Sequence, residues 1–335
     1  MPPQFSVIMP LYNKAPYVHK ALETVLAQTY RDFELIIVDD GSTDNSRQIV
    51  EQFEILDLRF QISSQENAGA AAARNNGVKA SSGKFVCFLD ADDWWEPTFL
   101  EEINRLITEY PDAGVYCTNY VYYKPCKTHV PLNLPTGYMN YPDAYLRSTA
   151  MPIWTGATCM PRTVFDEMGG FPVGIKLGED FLLWAKTALH YPIAFCEKPL
   201  AYYNNDVPAS LRATRNLHKP EHHMLFHLDA IEDEIKNLKP KTINLKSAAW
   251  TQLLDKLRVS GLLNYWLSDE YHDMAAAELR KVDWSKQPKF AIRLYKTPIW
   301  LLRAKQSFMQ MGSSVKQRLI KSYFDAHRGR NIKCC

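Results

Sequence analysis

Two stretches decide the fold of this chain: FELIIVDDGSTD at residues 33–44 and KFVCFLDADD at residues 84–93. Each begins with a short apolar run that is closed by a turn signal, a pattern typical of a buried strand in a parallel sheet. Each also ends in acidic residues, and ligands of open α/β sheets bind outside the carboxyl ends of the strands. We therefore expect the two acidic clusters to face one crevice. Their mutual repulsion must be offset there, and a divalent metal carrying a phosphorylated ligand would do so.

Strands and helices alternate through the first 110 residues around these stretches. We predict strands at 5–9, 34–38, 59–63 and 84–89, and helices at 15–28, from 42 onward, at 68–79 and at 97–109. This spacing favours a parallel sheet with right-handed crossovers. The alternation is lost in 113–212, where short β runs and one clear helix near 179–190 predict a mixed sheet with loops. The chain from 214 onward reads mainly as helices, at about 215–237, 243–267 and 270–281.

The composition is that of an ordinary globular protein. The chain has 335 residues, of which 46% are hydrophobic and 23% charged, and this length favours two domains or one large domain with an appendage. No apolar run reaches the ~20 residues that a membrane-spanning helix needs. The N-terminus has no basic segment followed by an apolar one, so we expect no signal peptide and a cytoplasmic location. The seven cysteines are scattered without a C-x-x-C pair, which argues against a disulfide framework and a structural zinc site.

The charge is distributed unevenly along the chain. Residues 285–335 hold 12 Lys/Arg and one acidic residue, which leaves 27 Lys/Arg against 36 Asp/Glu elsewhere. This asymmetry indicates an anionic partner for the tail, whose cations are interleaved with Trp300, Phe308, Tyr323 and Phe324. Such a segment could lie on an anionic bilayer or pack on the acidic body, and the sequence leaves both open. Nucleic acid is not expected, because no recognition motif accompanies the charge. The terminal Cys334-Cys335 lacks the C-a-a-X form of a prenylation site.

Five blocks in a fixed order resemble the family 2 glycosyltransferases of the GT-A fold, over roughly residues 5–205. They are SVIMPLYN at 6–13, VDDGSTD at 38–44, NAG at 67–69, ARN at 73–75 and FLDADD at 88–93. The resemblance implies an α/β fold with a mostly parallel sheet and helices on both faces. It also implies a nucleotide-sugar donor and inversion at the anomeric carbon.

The second block supplies the predicted contact to the base. A uracil ring presents an N3–H donor, which a carboxylate accepts well. The resemblance implies that Asp40 makes this contact, with Asp39 beside it. The alternative is that Asp39 and Asp44 only cap the helix that follows.

The other blocks supply the remaining nucleotide contacts that the resemblance implies. Tyr12 could stack on the base, and Arg74 could approach the base or the phosphates. The full set of predicted nucleotide-binding residues is Pro10, Tyr12, Asn13, Asp39, Asp40, Arg74, Asp90 and Ala91.

The D-x-D block supplies the predicted metal site. Alternate residues of an extended segment point the same way, so Asp90 and Asp92 share one direction and Asp93 takes the other. The resemblance implies that Asp92 coordinates Mn²⁺ or Mg²⁺, assisted by Asp90 or Asp93. The ion would bridge both phosphates and stabilise the departing nucleoside diphosphate. The alternative is a solvated acidic turn.

An inverting transfer needs a base on the acceptor hydroxyl. Glu179-Asp180 begins a predicted helix and resembles the acidic ED motif of the family. Asp180 is the first choice as base and Glu179 the reserve, while the alternative is an acidic pair favoured by the helix dipole. Three residues precede this block where the resemblance implies contacts with the acceptor or the donor sugar, namely Trp154, Thr155 and Gly156.

One segment departs from the family pattern. Many relatives carry a histidine-containing stretch after the ED helix, whereas residues 202–206 read YYNND here. Asp206 stands near the place of the missing histidine, so a histidine metal ligand is in doubt. We expect His218, His222 and His223, which follow in a predicted helix, to be surface or packing residues.

These observations predict a GT-A catalytic domain at 1–212, with a nucleotide-binding half at 1–112 and an acceptor half at 113–212. A helical extension at 213–285 and a basic amphipathic tail at 286–335 follow. The predicted protein is cytoplasmic, either free or peripheral at the inner face of the membrane.

The predicted function is metal-dependent, inverting transfer of a hexosyl or N-acetylhexosaminyl group from a UDP-sugar to a hydroxyl. The acceptor would be a glycan or lipid-linked glycan, as in lipopolysaccharide, capsule or another surface polysaccharide. The alternative is a non-catalytic nucleotide-sugar-binding or assembly protein. A nucleotidyltransferase is disfavoured, because no Gly-rich, Lys-bearing phosphate loop follows the first strand.

Overall fold

The computed structural model describes residues 2–54, 57, 59–148, 150–208, 218–238 and 247–308. The greater part of the predicted basic tail, at 309–335, lies outside the described residues. The interpretation of Tyr323, Phe324 and the two terminal cysteines therefore stays a prediction.

The described chain folds into strands and helices that alternate up to α4 and become mainly helical after β9. The strands are β1 Phe5–Leu11, β2 Phe33–Asp39, β3 Phe60–Ser64, β4 Phe85–Phe88, β5 Trp94–Trp95, β6 Val115–Tyr123, β7 Gly137–Met139, β8 Thr158–Pro161 and β9 Ile193–Asn204. The helices are α1 Val18–Leu26, α2 Ser46–Glu54, α3 Ala70–Ala80, α4 Phe99–Glu109, α5 Tyr141–Arg147, α6 Arg162–Met168, α7 Glu179–His190, α8 Asp229–Asn237, α9 Ser247–Gly261, α10 Leu263–Trp266, α11 His272–Leu279, α12 Lys289–Lys296 and α13 Ile299–Phe308.

The described strands form one sheet in the order β3-β2-β1-β4-β8-β6-β9-β5, with β7 paired to β9. β1 runs parallel to β2 and β4, and β2 runs parallel to β3. β8 is antiparallel to both β4 and β6, whereas β6 and β9 are parallel with a register shift around Asn119. The parallel first half and the mixed second half confirm the predicted α/β class.

The inner parallel strands β1, β2 and β4 are buried and largely apolar, whereas the edge strand β3 is mostly exposed. Every residue of β2 is buried, as expected for a central strand covered by helices on both sides. α3 packs closely on β1 and β2 at Gly77, where an added Cβ would lie 2.5 Å from Cγ2 of Ile8 and 3.3 Å from Cγ2 of Val38. The glycine therefore sets how near α3, and the side chains it carries, comes to the sheet.

The structure corrects several boundaries after residue 190. Residues 215–217 and 243–246, the predicted starts of two helices, lie outside the described residues. The described part of the first consists of two short 3-10 turns, Pro220–His222 and Met224–Phe226, followed by α8. Proline donates no backbone hydrogen bond, and Nδ1 of His223 accepts one from the amide of Leu225, which favours short turns over a continuous helix. The helix predicted at 243–267 is divided into α9 and α10. The twelve-residue strand β9 was not predicted.

The C-terminal helices pack directly on the sheet domain. Trp250 of α9 is buried against Tyr141 of α5 at a ring distance of 5.9 Å, and Nζ of Lys256 donates to the carbonyl of Tyr145 at 2.9 Å. Among the residues described, none of the helices is both long and apolar enough to cross a bilayer.

Candidate active site

The loops that follow β1 and β2 are joined by Asn13. Its backbone has a φ of 50°, in the left-handed region that asparagine tolerates. Its side-chain oxygen accepts from the amide of Thr43 at 2.8 Å, and its own amide donates to Oγ of Ser42 at 3.2 Å. The predicted nucleotide residue Asn13 therefore holds two loops together. Its neighbour Tyr12, with 45% of its surface exposed, is left open for stacking.

The two carboxylates after β2 have different surroundings. Both oxygens of Asp40 accept hydrogen bonds, Oδ1 from the side chain of Gln65 and the amide of Ala68, and Oδ2 from the amide of Gly69. Oδ1 of Asp39 accepts from the amide of Ser42, and its Oδ2 accepts no hydrogen bond from any residue that the structure describes. Asp40 thus orders the loop before α3. Asp39 accepts fewer hydrogen bonds than Asp40 and can therefore accept more from a ligand.

The three acids of the D-x-D block turn to three different partners. Oδ1 of Asp90 accepts from Arg74 at 2.6 Å, and Oδ2 of Asp92 from Nζ of Lys14 at 2.6 Å. Oδ1 of Asp93 accepts from the backbone amide of Asn204 at 2.7 Å. Burial raises the pKa of Asp93 well above its ordinary value, and the nearby charges of Asp92 and Asp90 add to the effect. The block is a turn, in which the amide of Asp93 donates to the carbonyl of Asp90 at 3.0 Å, so the extended segment from which the side-chain directions are predicted is not formed.

The oxygen donors of Asp92 and Asp90 suit a hard divalent cation. Mg²⁺ and similar ions are commonly held by one or two carboxylates together with substrate phosphates. The ammonium of Lys14 is in contact with Asp92, whose side chain is 17% exposed, so this carboxylate already meets a cation and can be reached from the crevice. Within the described ranges, no three His, Cys, Asp or Glu side chains converge into a complete metal cage. Asp93 accepts from the backbone amide of Asn204 and is not one of these two carboxylates.

Arg74 connects the D-x-D block to the ED block. It lies on α3 and is 4% exposed, and its guanidinium donates to Asp90 and, at 3.1 Å, to Oε1 of Glu179. Burial alone would lower the pKa of Arg74, but the charges of Asp90 and Glu179 raise it above its ordinary value. The arginine therefore stays charged and fixes the two acidic blocks beside each other, although 105 residues separate it from Glu179.

Asp180, unlike its neighbour Glu179, forms no ion pair with any cation that the structure describes. Its Oδ2 accepts from the hydroxyl of Thr155 at 3.2 Å, and its Oδ1 accepts from the amide of Phe181 at 2.7 Å. Desolvation and the charge of Glu179 raise the pKa of Asp180 to about 7, against the opposing effect of Arg74. A carboxylate with this pKa can take up a proton near neutral pH.

The predicted sugar-binding residues form a wall beside Asp180. Thr155 is 2% exposed and reaches Asp180 directly. The ring of Trp154 is 8% exposed and packs between Tyr120 and Tyr203, at ring distances of 5.1 and 5.3 Å. The carbonyl of Gly156 accepts from Nε1 of Trp95 at 2.6 Å. Thr155 therefore orients the acid, and Trp154 and Gly156 form the packed support behind it.

The segment that replaces the family's histidine lies against the D-x-D block. Tyr202 stacks on Trp94 at 5.1 Å, and the amide of Asn204 holds Asp93, whereas the amide of Asp206 donates to the side chain of Asn204. Nδ1 of His222 contacts the carbonyl of Gly174 at 2.7 Å, and His223 packs edge-on against Tyr265. The two histidines are thus packing residues, as predicted.

Sequence reasoning missed Lys14 as a site residue. It follows the first family block directly and reaches Asp92 across 78 positions. In the sequence, the only indication of a role for Lys14 is that it directly follows PLYN at 10–13. Tyr141 and Tyr145 were also missed; the pKa values of both are raised by burial, with a contribution from the charge of Asp180.

Comparison with known proteins agrees with this geometry. Residues 6–169 match the family model described as Glycosyl transferase family 2. GlyA of Streptococcus pneumoniae, a glycosyltransferase, is 42% identical over 117 residues, which are 35% of this chain and 17% of that protein. The putative glycosyltransferase EpsH of Bacillus subtilis is 39% identical over 113 residues, 34% of this chain and 33% of that protein.

A longer match extends beyond the family region. An uncharacterized glycosyltransferase of Rickettsia felis is 30% identical over 263 residues, 74% of this chain and 40% of that protein. The chain thus spans from about a sixth to two fifths of the length of these curated relatives.

Solved structures share the whole architecture. The crystal structure of S. aureus TarS 1-349 in complex with UDP-GlcNAc superimposes with a TM-score of 0.70 at 21% identity, over 98% of this chain and 93% of that chain. A mannosyltransferase of Pyrobaculum calidifontis, in complex with GDP-Man and Mn²⁺, gives a TM-score of 0.54 at 22% identity, over 99% of this chain and 88% of that chain. These likenesses concern the fold, and the family match concerns residues 6–169, which include the D-x-D block but not Glu179 and Asp180. Residues 6–169 are similar in sequence to glycosyl transferase family 2, and the α/β fold with a C-terminal helical region is of the GT-A type.

Proposed function

We propose that this protein transfers a sugar from a UDP-sugar to a hydroxyl of a glycan acceptor, with inversion at the anomeric carbon. The observation that carries the proposal is the link from Asp90 through Arg74 to Glu179, with Asp180 beside it. This link joins the carboxylates on the donor side of the crevice to an acid of suitable pKa on the other side. A transferase needs both within one substrate length.

The donor is proposed to be a uridine nucleotide because free carboxylate oxygen is available where the base would lie. Asp39 and Asp40 are both buried after β2, and Oδ2 of Asp39 is the better placed acceptor for the N3–H of uracil. Tyr12 would cover the ring. The complex of the fold neighbour TarS with UDP-GlcNAc supports this class of donor, while the choice between hexosyl and N-acetylhexosaminyl groups stays open to experiment.

The chemistry assigns a separate task to each acid. Glu179 forms an ion pair with Arg74 at 3.1 Å and serves to position the arginine. Asp180 accepts the proton of the attacking hydroxyl, while the hydroxyl of Thr155 keeps one carboxylate oxygen oriented. The attack comes from the face opposite the leaving diphosphate, so the configuration inverts through an oxocarbenium-like transition state.

A divalent metal is proposed to bind with the donor. Asp92, assisted by Asp90, would hold Mn²⁺ or Mg²⁺, and the bound ion would neutralise the charge that develops on the departing diphosphate. Lys14 contacts Oδ2 of Asp92 and would compete with such an ion for this carboxylate.

The acceptor is proposed to be a surface glycan or lipid-linked glycan, used at the inner face of a membrane. The C-terminal segment supports this location, because helices α12 and α13 at 289–308 carry five Lys/Arg and no Asp or Glu. Anionic lipids attract such segments.

A thermal-shift panel tests the donor site. UDP, GDP, CDP and dTDP are each added with Mn²⁺ or with EDTA, and a ligand that binds only the folded state raises the melting temperature. We expect a shift for UDP with Mn²⁺, with smaller shifts for the other nucleotides. The absence of a shift for every nucleotide would refute the donor site.

A pair of matched variants tests catalysis against the non-catalytic alternative. Asp180→Asn is expected to lose turnover of a UDP-sugar while it keeps the UDP thermal shift. Wild-type protein that binds UDP but never transfers or hydrolyses any UDP-sugar would favour the nucleotide-sugar-binding protein instead.

A further inference from the structure

The C-terminal helices enclose a cleft that the proposed sugar transfer does not use. Its volume is about 730 Å³, within the ~300–1,000 Å³ typical of small-molecule sites. It lies between α10, α11 and α12, and its lining includes Trp266, Ala276, Arg280, Trp284, Tyr295 and Lys296.

Two of the three aromatic rings in the cleft wall bond their polar atoms to the backbone, whereas Nε1 of Trp266 is buried without a hydrogen-bond partner among the described residues. The hydroxyl of Tyr295 donates to the carbonyl of Val259 at 2.9 Å, and Nε1 of Trp284 donates to the carbonyl of Leu279 at 3.1 Å. The ring of Tyr295 lies 5.7 Å from that of Trp266 and 5.5 Å from that of Trp284. The three rings thus present mainly carbon surface to a ligand in the cleft.

The lining also carries two exposed cations. Arg280 and Lys296 contribute to it, and no carboxylate of the described chain forms an ion pair with either of them. A ligand that satisfies this cleft needs an apolar body and an anionic group at one end. An acyl or prenyl chain with a phosphate head has this chemistry.

The outer surface next to the cleft also combines cationic side chains with exposed apolar rings. Lys289, Arg293 and Lys296 lie at i, i+4 and i+7 on the exposed side of α12, so they share one face. Phe290 on this helix is 39% exposed, and Trp300 on α13 is 71% exposed. Cations beside exposed aromatic rings are typical of surfaces that lie at the headgroup level of a bilayer.

The structure assigns this cleft as a binding site for one anionic lipid, with its chain against Trp266, Trp284 and Tyr295 and its phosphate at Arg280 and Lys296. The outer face of α12 would rest on the bilayer from which the lipid comes. The inference rests on the membrane location in the proposed function and deepens it, since it names a single lipid site. It also makes α12 contribute to two contacts, with Tyr295 and Lys296 at the cleft and Lys289 and Arg293 on the outer face.

Titration with 12-bromododecyl phosphate, below its micelle concentration, tests the site in the whole protein. Bromine quenches tryptophan fluorescence on contact, and Trp266 and Trp284 both line the cleft. We expect saturable quenching that Ala276→Phe, which fills the cleft, weakens at least tenfold. Lys296→Glu should weaken it severalfold, and this change of an exposed side chain leaves the wall intact. Lys79→Glu on α3, an exposed lysine remote in sequence, is the matched control and should change nothing.

Two further probes define the ligand class. Inorganic phosphate should not compete below a hundredfold excess, and the uncharged surfactant dodecyl maltoside should bind at least tenfold more weakly. Equal binding of the maltoside, full competition by phosphate, or quenching that neither variant alters would overturn the assignment. The UDP thermal shift and vesicle binding are measured on the same samples. Intact nucleotide and vesicle binding without saturable quenching would refute the lipid site alone and leave the proposed function standing.

Discussion

Replacing Asp180 by asparagine should remove turnover and, at the same time, make the protein more stable at high pH. The reason is the pKa of Asp180, which desolvation and the charge of Glu179 raise from 3.8 to about 7. The folded protein holds a proton on this group between these values, whereas the unfolded chain has already lost it. Stability therefore falls as the pH rises through this interval and is constant above about 7.

The size of the effect follows from the interval. Each pH unit corresponds to about 1.4 kcal/mol, so the two units from pH 5 to pH 7 amount to about 3 kcal/mol as an upper limit. Asparagine does not titrate and lacks this penalty. The stability of Asp180→Asn relative to wild type should thus increase by up to about 3 kcal/mol between pH 5 and pH 8. At ~2 °C per kcal/mol for a chain of this size, the relative melting temperature should rise by up to about 6 °C.

The assay is thermal unfolding of wild type, Asp180→Asn and Glu179→Gln at pH 5 and pH 8, with turnover measured on the same preparations. Glu179→Gln is the matched control, because it removes a neighbouring carboxylate that the cation of Arg74 stabilises. It should lower the melting temperature at both pH values. Loss of a general base costs typically 10²–10⁴ in rate, and wild-type turnover should rise with pH through about 7.

Two results would refute this reasoning. A melting difference between wild type and Asp180→Asn that is the same at both pH values would mean that the pKa of Asp180 is not raised. Turnover that survives in Asp180→Asn and disappears in Glu179→Gln would identify Glu179 as the base.

Three further changes probe the supports of the site. Arg74→Lys keeps the charge but loses the planar fork that spans Asp90 and Glu179, so kcat should fall at least about tenfold, measured in steady state, with the fold retained by circular dichroism. Lys14→Met frees Asp92 from a partly buried ion pair worth about 1 kcal/mol; Mn²⁺ should bind roughly fivefold tighter in an electron paramagnetic resonance titration, and unchanged affinity would contradict the contact. Arg258→Met removes a buried arginine that pairs with Glu232 and Glu278 and leaves Lys281 as the cation beside Glu278, which should cost up to about 3 kcal/mol in urea unfolding while UDP affinity stays unchanged.

The sequence predicts the nucleotide-binding half of the fold well, because each strand there has a local sequence pattern that identifies it. β1, β2 and β4 are continuous apolar runs closed by polar turns, and the acids follow where the strands end. Periodicity and turn chemistry are local properties, so they locate elements that are stabilised locally. β9 lacks such a pattern, since Glu197, Lys198 and Pro199 interrupt it. Its strand form depends on pairing with β6, which the local sequence does not encode.

The sequence predicts which residues belong to the candidate site, but it does not predict which residues they contact. The ED pair and the D-x-D block stand out as motifs, yet nothing local indicates that Arg74 joins them across 105 positions. The contact of Lys14 with Asp92 likewise depends on how β1 and β4 align as parallel neighbours. Pairing of distant charges is a result of the tertiary fold, and a single sequence does not carry it.

Residues 202–206 lack the histidine of the family pattern, and the environment of Asp93 shows what this segment does instead. The backbone amide of Asn204 occupies one oxygen of this acid, and its other oxygen is buried with no hydrogen-bond partner among the described residues. Asp93 is therefore anchored at the end of β9, while its neighbours Asp90 and Asp92, whose charges help to raise its pKa, contact Arg74 and Lys14. With no histidine in this segment, the protein itself offers oxygen ligands from two carboxylates. Such a site suits an ion that takes its remaining ligands from water and from the diphosphate of the donor. The missing histidine is thus consistent with a metal that arrives with its substrate, and it does not by itself indicate lost catalysis.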